Sequence, residues 1–394
     1  MDDVDELLTR AVDQILPSKQ ELEKILRGGK KLRVYQGFDP SSHQLHIGHM
    51  IGLRKLRQWQ NLGHEVIFLI GDFTGRIGDP TGKTETRPLL SKETVEKNAK
   101  TYKEQAGKIL RFNGENSVKV KFNSQWLENM LLPEVSNLAS QVTYQQILKR
   151  DLIQNRLQKE GDISINEIMY PIMQGYDSVA MDVDVEVGGS DQLFNMMMGR
   201  HLMHKMKRKN KFVMTIKLLT DAQGNKIGKT EGNATALIAP PEQIFGEVMR
   251  FPDETIVTGL EYLTDVPMEE IQQIQKSIKS GQNPLQFKKR LAFEIVKQLN
   301  GGQAAQIAQG SFEKTFQKRE TPKSIPTIKV KNPNIGLADF LVENNLAPSK
   351  SEAKRLLDHG AIEIDGQTTS EAQIEFKNGQ VVKIGKRRFV KIVL

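Results

Sequence analysis

The sequence predicts an α/β protein with a doubly wound, Rossmann-like parallel sheet, followed by a helical domain and a small α+β domain. Three observations indicate this fold. Strand and helix patterns alternate in the N-terminal part, and glycines stand where these segments end. The run 65–70, EVIFLI, is almost continuously apolar, as in a strand buried on both faces. We expect three domains, at 1–235, 236–325 and 326–394.

The elements of the first domain follow in chain order. A strand is predicted over 31–36, and helical periodicity covers 46–62, where a glycine follows as a C-cap residue would. The apolar strand 65–70 comes next. A further strand is predicted over 181–187, where valines alternate with acidic residues before two glycines. Ligands of doubly wound sheets bind at the carboxyl ends of the strands, so we expect the chemistry in the loops there.

The remainder of the chain changes character twice. Residues 240–323 carry apolar side chains at helical spacing and are predicted to be mostly helical, and the proline-rich stretch 321–333 is predicted to be an extended linker. Two short helices and several strands are expected after it. Ser349 and Glu352 have the spacing of a capping box, and the Asp-Gly pair at 365–366 is a hairpin signal.

Composition excludes several classes of protein. Of 394 residues, 38% are hydrophobic and 26% are charged, so neither a disordered chain nor a membrane span is expected. The first residues are acidic, unlike those of a secretory signal. Without cysteine, the chain forms no disulfide, thiolate zinc site or cysteine nucleophile. These features favour a cytoplasmic enzyme. The net charge of +8 fits either a polyanionic partner or an ordinary surface.

The segment 37–49, GFDPSSHQLHIGH, stands where a predicted strand ends and a helix begins. The free amides and the positive dipole end of a helix N-terminus suit a phosphate group. His46 and His49 share one helix face, and Gly48 leaves room for a flat ring on the backbone. The alternatives are a metal site that includes His43 and a purely structural histidine pair. The histidine spacing and the glutamate of the zinc proteases are absent.

Two further glycine-rich loops are GNKIGKT at 224–230 and IGDPTGKT at 77–84. Each lacks one residue of the phosphate-binding P-loop spacing, so neither is predicted to be a P-loop. Lys226 and Lys229 flank a glycine, and two ammonium groups on such a loop are suited to follow charge onto departing phosphates. The alternative is a solvated basic turn.

Tyr170, Gln174 and Asp177 recur at positions i, i+4 and i+7, which gives one polar stripe on an otherwise apolar helix. Buried polar groups require partners, so such a stripe indicates mutual hydrogen bonds or a ligand. A surface stripe is the alternative. The segment GGSDQ at 188–192 follows a predicted strand, which places Asp191 where it can bond to ribose hydroxyls.

Together these motifs resemble the class I aminoacyl-tRNA synthetases and, within that class, the bacterial tyrosyl-tRNA synthetases. HIGH stands unaltered at 46–49, and KIGKT at 226–230 is similar to the KMSKS loop. The strings YQGFDPSSHQLHIGH, IGDPTGKT, YPIMQGYDS and GGSDQ occur in the order of that family. The tail, 336–394, resembles an S4 RNA-binding domain.

The resemblance implies a role for each matching residue. The tyrosine-binding set is Tyr35, Asp79, Asn123, Tyr170, Gln174, Asp177 and Gln192. The ATP-binding set is Gly37, Asp39, His46, Gly48, His49, Lys83, Arg87, Gly189, Asp191, Lys226 and Lys229. The catalytic set is His46, His49, Lys226, Lys229 and Thr230. Cations that would neutralise RNA phosphates are Lys350, Lys354, Arg355, Lys386, Arg387 and Arg388.

The resemblance also implies the reaction. The tyrosine carboxylate attacks the α-phosphorus of ATP, giving tyrosyl-adenylate and pyrophosphate, and tyrosine then passes to the 3′-terminal adenosine of tRNA-Tyr. The nucleophile is already an anion, so catalysis consists of positioning and charge stabilisation without a general base.

The expected partners are L-tyrosine, ATP and tRNA-Tyr. Mg²⁺ is expected on ATP and not in a dedicated protein metal site. The resemblance further implies a homodimer without a membrane partner. The alternatives are the tryptophanyl branch, an RNA-binding scaffold without chemistry, and another nucleotidylyltransferase with the same histidine motif.

Overall fold

The computed structural model describes the chain except for residues 1, 80–88, 149–152, 155–157, 160–161, 222, 225, 228–234, 315–325, 331–332, 345, 370, 372 and 386–387. The chain divides into two compact units, Met1–Ala305 and Gln306–Leu394. The division into three domains stays a prediction. Within the described ranges, no helix is long and apolar enough to cross a membrane.

The first unit is built on a six-stranded sheet with the order β1-β6-β5-β2-β3-β4. Its strands are β1 (Val12–Leu16), β2 (Arg33–Phe38), β3 (Glu65–Ile70), β4 (Lys119–Phe122), β5 (Val185–Gly189) and β6 (Phe212–Ile216). Strand β2 pairs in parallel with both β3 and β5, whereas the edge strand β1 runs antiparallel to β6. The strand order therefore reverses at β2, and a crevice opens beyond the carboxyl ends of β2 and β5.

Helices account for most of the rest of this unit. They are α1 (Asp3–Thr9), α2 (Lys19–Arg27), α3 (Ile47–Asn61), α4 (Thr74–Ile77), α5 (Lys92–Ala99), α6 (Tyr102–Ala106), α7 (Ser124–Leu127), α8 (Leu132–Ser140), α9 (Tyr144–Leu148), α10 (Ile165–Met181), α11 (Leu193–Lys207), α12 (Pro241–Val248), α13 (Ile256–Leu263), α14 (Met268–Lys279) and α15 (Leu285–Asn300). A further helix, α16 (Gly302–Phe312), spans the boundary between the units. Short 3-10 turns cover Ser190–Gln192 and Asp253–Thr255.

The second unit has a sheet of order β10-β9-β12-β13-β7 and a separate pair, β11-β8. Its strands are β7 (Thr327–Lys329), β8 (Asn334–Gly336), β9 (Ile362–Ile364), β10 (Gln367–Thr368), β11 (Gln373–Glu375), β12 (Val381–Ile384) and β13 (Arg388–Val393). Helices α17 (Leu337–Glu343) and α18 (Lys350–Asp358) pack on its own hydrophobic core. Phe340 and Phe376 meet in that core with ring centroids 4.6 Å apart. The prediction of two short helices and then strands is confirmed.

Several local predictions agree with the structure. Strand β3 occupies the predicted six residues, five of which are buried. Helix α3 ends at Asn61, and Gly63 follows with a φ of 84°. Ser349 accepts a hydrogen bond from the amide of Glu352 and so caps α18. The Asp-Gly pair at 365–366 has φ angles of 49° and 85° and joins the antiparallel strands β9 and β10, as a type I′ turn requires.

Two local predictions are wrong. The strand predicted over 181–187 begins only at Val185, because Met181 is the last residue of α10 and Asp182 turns the chain in a left-handed conformation. The predicted linker 321–333 contains strand β7, which pairs in parallel with β13. This strand has only three residues, so it shows no alternating pattern by which the sequence would predict it. Strand β1 was not predicted, because its antiparallel pairing with β6 is a contact between distant parts of the chain.

Candidate active site

A cleft of ≈ 290 Å³ lies at the carboxyl ends of the central strands, where the strand order reverses. It brings together predicted residues from distant parts of the sequence. The predicted residues that line it are Tyr35, Gly37, Asp39, His46, Gly48, His49, Asp79, Tyr170, Gln174, Asp177, Gly189, Asp191, Gln192 and Lys226. The predicted site residues Lys83, Arg87, Lys229 and Thr230 lie outside the described residues.

The two histidines form a reciprocal cap at the start of α3. The Nδ1 atom of His46 accepts a hydrogen bond from the amide of Gly48, and the Nδ1 atom of His49 accepts one from the amide of His46, each at 3.1 Å. Their ring centroids are 3.9 Å apart. Because both Nδ1 atoms are acceptors, each neutral ring carries its proton on Nε2. Both rings line the cleft, and Nε2–H is the donor atom that each neutral ring carries.

Gly48 is required by this cap. A Cβ atom at Gly48 would stand 2.9 Å from Cε1 of His46, closer than real Cβ atoms approach a ring. The flat ring that packs on this glycine is thus the imidazole of His46 itself. The backbone of His46 also pairs with Ala236, and the Ile47 amide donates to the carbonyl oxygen of Thr235 at 3.0 Å. The chain beyond the lysine loop is thereby attached to the histidine motif.

Lys226 lies at the edge of the cleft beside the turn that follows β5. Its Nζ atom donates to Oδ2 of Asp191, and its backbone pairs with Thr220. Asp191 is held in the 3-10 turn after β5, as predicted from its position after a strand. A cation and a carboxylate thus stand side by side at this edge, and they can interact with anionic oxygens and with hydroxyl groups respectively.

Asp177 lies at the buried end of the cleft, with 2% of its surface exposed. Its Oδ1 atom accepts a hydrogen bond from Nε1 of Trp126 at 2.8 Å, and its Oδ2 atom accepts one from Nδ2 of Asn123 at 3.3 Å. Burial raises the pKa of Asp177 well above its usual value, and these two donors oppose the rise. The structure places Asn123 behind Asp177, where its amide oxygen also accepts from the amide of Phe73.

Tyr35 is also buried at this end of the cleft. Its hydroxyl oxygen lies 2.8 Å from Oγ of Ser178. Burial, together with the carboxylates of Glu186 and Asp177, raises the pKa of Tyr35 well above its usual value, so its hydroxyl stays protonated. Tyr35 and Asp177 therefore give the buried end one hydroxyl and one carboxyl group, both suited to a hydrogen-bonding ring substituent.

The middle of the cleft is rich in acceptors. Tyr170 donates to Oδ2 of Asp39 at 2.7 Å, and Gln192 donates to Oδ2 of Asp79 at 2.6 Å. The Oε1 atom of Gln174 is buried and accepts no hydrogen bond from any residue that the structure describes. Buried polar atoms require partners, so this oxygen is placed for a donor brought by a ligand. Carboxylates and an open amide oxygen suit an ammonium group.

Comparison with known proteins decides the family. Residues 27–317 match the family described as tRNA synthetases class I (W and Y). The chain belongs to this family. Residues 317–392 match the tyrosine–tRNA ligase SYY-like C-terminal domain, and together with the relatives below this places the chain in the tyrosine branch.

The synthetase is similar over its whole length to curated bacterial relatives. It is 42% identical to the tyrosine–tRNA ligase of Dehalococcoides mccartyi (strain CBDB1), over 99% of this chain and 98% of the relative. It is also 42% identical to the tyrosine–tRNA ligase of Thermotoga maritima, over 98% of this chain and 96% of that relative.

Among solved structures, a C-terminally truncated mitochondrial tyrosyl-tRNA synthetase from Coccidioides posadasii is 26% identical, with a TM-score of 0.65 over 78% of this chain and 91% of that one. The tyrosyl-tRNA synthetase of Archaeoglobus fulgidus, solved with L-tyrosine, is 21% identical, with a TM-score of 0.60 over 78% of this chain and 100% of that one. This similarity supports the fold.

The structure adds residues to the cleft of the synthetase that sequence reasoning missed. Gln36 and Glu186 line it, Thr74 donates to Oδ1 of Asp39 at 2.7 Å, and Trp126 holds Asp177. Trp126 precedes Asp177 by about fifty positions, so no local pattern joins the two. Only the position of Glu186, just before the GGSDQ segment, gave a signal in the sequence.

The tail of the synthetase presents the predicted cations on its surface. Those in the described part are Lys350, Lys354, Arg355 and Arg388, and all four are exposed. Lys350 is paired with Asp339 at 2.6 Å, and Arg355 with a glutamate on the same helix at 3.3 Å. Exposed ion pairs of this kind contribute little stability. The predicted residues Lys386 and Arg387 lie outside the described residues.

His43 forms no metal centre with the other two histidines in this structure. Across the described ranges of the chain, no three His, Asp or Glu side chains stand close enough to hold a metal ion. The imidazole nitrogens of His46 and His49 that face backbone amides are already used as acceptors.

Proposed function

We propose that the cleft forms tyrosyl-adenylate from L-tyrosine and ATP, and that the chain then transfers tyrosine to the 3′-terminal adenosine of tRNA-Tyr. This is the activity of a tyrosine–tRNA ligase. One observation carries the assignment of residues: a single cleft contains both the histidine and lysine set and the carboxylate and tyrosine set. The two substrates of adenylate formation would therefore meet within it.

The proposed chemistry depends on electrostatic stabilisation. ATP enters as its Mg²⁺ complex, and the tyrosine carboxylate attacks the α-phosphorus as pyrophosphate leaves. The Nε2–H groups of His46 and His49 donate to phosphoryl oxygens as negative charge accumulates there. Lys226 exchanges its carboxylate partner for phosphate, and Asp191 then accepts from ribose hydroxyls. We propose the same phosphate-binding role for Lys83, Arg87, Lys229 and Thr230.

Substrate selection is proposed for the buried end of the cleft. Asp177 accepts the phenolic proton of tyrosine, and Tyr35 donates to the phenolic oxygen. Phenylalanine would desolvate both groups without supplying the hydrogen bonds that the phenol gives them, which is costly. Tyrosyl-tRNA synthetase is the standard example of such discrimination without editing. The ammonium group would be bound by Tyr170, Gln174 and Asp79, whereas Asp39 and Gln192 lie near the carboxylate and ribose.

Amino-acid-dependent ATP–pyrophosphate exchange tests the first step. The full chain is assayed with each standard amino acid at saturating ATP, and exchange is expected with tyrosine alone. Exchange with tryptophan would indicate the sister branch of the family. Absence of exchange, in a protein that still binds RNA, would indicate a scaffold, and adenylyl transfer to another acceptor would indicate a different nucleotidylyltransferase.

We expect that deletion of residues 326–394 separates the two steps. The tail carries its own core and the exposed cations, whereas the cleft belongs entirely to the first unit. Exchange with tyrosine should change by less than about threefold, and charging of tRNA-Tyr should fall by about 100-fold or more, because the phosphate contacts of the tail are lost. Charging by the full chain with Lys354→Ala and Arg355→Ala should fall less, and its salt dependence should be weaker than that of the wild-type chain, because fewer phosphate contacts remain to be screened. Equal loss of exchange and charging would contradict the proposed role of the tail.

We propose that the chain acts as a homodimer. Four large apolar side chains of the first unit are exposed at or just before the first residues of α8, α9 and α10. They are Leu131, Leu132, Tyr144 and Ile165. Leu132 is 81% exposed, which is unfavourable in water without a partner surface. Sedimentation equilibrium is expected to give a dimer for the wild-type chain and a monomer for Leu132→Asp, with exposed Leu285→Asp as the control. A wild-type monomer would contradict the proposal.

The substrates ATP and tRNA make the cytoplasm the proposed compartment.

A further inference from the structure

Behind Tyr35 lies a buried group of polar side chains, here called the lysine network: Tyr35, Ser178, Glu186 and Lys211. Lys211 has no exposed surface, and Glu186 is 3% exposed. The Nζ atom of Lys211 forms an ion pair with Glu186 and donates to Oγ of Ser178 at 2.8 Å. Ser178 in turn lies 2.8 Å from the hydroxyl oxygen of Tyr35. The network therefore connects a buried ammonium group to a residue that lines the cleft.

The distances define the direction of the hydrogen bonds. An ammonium group can only donate, so Ser178 must accept from Lys211 and has one proton left to give. Its Oγ atom is 3.4 Å from Oε2 of Glu186 but 2.8 Å from the Tyr35 oxygen. Because O–H···O hydrogen bonds span about 2.5–3.0 Å, the proton of Ser178 goes to Tyr35. Tyr35 then has its own proton to give, and its acceptors are the carboxylate of Glu186 and a hydrogen-bonding group in the cleft.

The network occupies space that a side chain would otherwise fill. A Cβ atom at Gly199, on α11, would stand 2.5 Å from Nζ of Lys211 and 2.7 Å from Oγ of Ser178. The ammonium group also lies 5.9 Å from the centroid of the Tyr35 ring, within cation–π range. Lys211 is thus fixed by three partners. A buried ion pair is a weak source of stability compared with apolar packing, so stability alone is a poor reason for this arrangement.

We propose that Lys211 is a positioning residue for tyrosine selection, which acts through Ser178 to turn the Tyr35 hydroxyl into a donor toward the phenolic oxygen of the substrate. The inference rests on the proposed function and extends it to Ser178 and Lys211, which lie behind the residues that line the cleft. Successive hydrogen bonds in a buried chain polarise one another, so the charge of Lys211 strengthens the bond that Tyr35 makes. Phenylalanine offers no oxygen and gains nothing from the network.

Two variants test the inference in the exchange assay. Ser178→Ala removes the connecting hydroxyl but keeps the ion pair. The paired variant E186Q/K211M removes both charges together, which avoids the uncompensated buried charge that K211M alone would leave. Each is expected to raise the KM for tyrosine about five- to tenfold, the value of roughly one hydrogen bond. For Ser178→Ala, the KM for ATP, the kcat and the exchange rate with phenylalanine should be unchanged.

A background variant shows whether the network acts through Tyr35. In Tyr35→Phe the hydroxyl is absent, so adding Ser178→Ala or E186Q/K211M should change the KM for tyrosine by less than about twofold, as coupled positions require. Equal effects in the presence and absence of the Tyr35 hydroxyl would overturn the inference.

Lys55→Met is the matched control. Lys55 is another buried lysine, 2% exposed, and its Nζ atom donates to the carbonyl oxygens of Leu7 and Arg10, away from the cleft. It should leave the tyrosine-to-phenylalanine preference unchanged, whatever its effect on the melting temperature. If Lys55→Met lowers that preference as much as the network variants do, general loss of packing explains the result and the inference fails.

If the wild-type chain exchanges with tyrosine but the network variants have the same KM for tyrosine, the inference fails and the proposed function stands. If the wild-type chain shows no exchange, the proposed function fails.

Discussion

Replacing His46 with asparagine is expected to lower the kcat of tyrosine-dependent ATP–pyrophosphate exchange about 100- to 1,000-fold, the usual cost of losing one donor to a transition-state oxyanion. The KM for tyrosine should stay the same, because His46 is not among the groups proposed to contact tyrosine. Asparagine keeps an acceptor where Nδ1 of His46 receives the Gly48 amide, so the cap of α3 is retained. The substitution removes only the donor that Nε2 presents to the cleft.

His46→Ala is the comparison that separates cap from catalysis. It removes both the cap and the donor, and should lose the same activity as His46→Asn plus about 1 kcal/mol of stability. Steady-state exchange kinetics and thermal unfolding of the two variants measure the two effects independently. An asparagine variant with wild-type kcat would show that His46 has only a structural role. That role is the alternative named in the sequence analysis. His49→Asn is expected to behave in the same way, since its Nδ1 atom accepts the amide of His46.

Replacing Asp177 with asparagine is expected to lower kcat/KM for tyrosine roughly 10- to 100-fold, the value of a hydrogen bond to a charged group. The KM for ATP should change little. Asparagine has one acceptor where the carboxylate has two, so it cannot serve the phenolic proton and the donors from Trp126 and Asn123 together. Exchange kinetics with tyrosine and phenylalanine give the result, and the preference for tyrosine should fall in parallel.

The pH dependence of Asp177→Asn adds a second measurement. Burial raises the pKa of Asp177, so the wild-type kcat/KM for tyrosine should fall on acidification at a pH above the usual carboxyl range, and the variant should lack this limb. Stability has the opposite sign. Between the usual value and the raised pKa the folded state binds more protons than the unfolded state, so wild-type stability decreases as pH rises through that window. The variant should lack this decrease. An identical acid limb in the variant would assign it to another group.

The histidine motif and the polar stripe were legible because their chemistry is local. His46, Gly48 and His49 lie within one helical turn, and the spacing that predicts a shared face also produces the reciprocal cap. Likewise Tyr170, Gln174 and Asp177 line the cleft from one face of α10, as their periodicity predicts. The apolar run of β3 needed no partner to be recognised, because burial on both faces leaves no polar positions.

Other parts of the site have no local pattern. Trp126 and Asn123 hold Asp177 from about fifty residues away, and the sheet brings them together by placing β4 beside β3. No local pattern joins the buried pair of Lys211 and Glu186, because the two residues are 25 positions apart and Glu186 stands in an alternating run. Only the pairing of β5 with β6, which Lys211 immediately precedes, brings the two side chains together as an ion pair.

The sequence by itself determined the α/β alternation, the phosphate-handling motifs and the family, because each depends on residue type at short spacing. The tertiary structure alone decided which protonated atom each cleft residue offers: Nε2 of the histidines and the hydroxyl of Tyr35. The physical reason is that hydrogen-bond direction is set by all the partners of a group, and those partners come from strands and helices far apart in the chain.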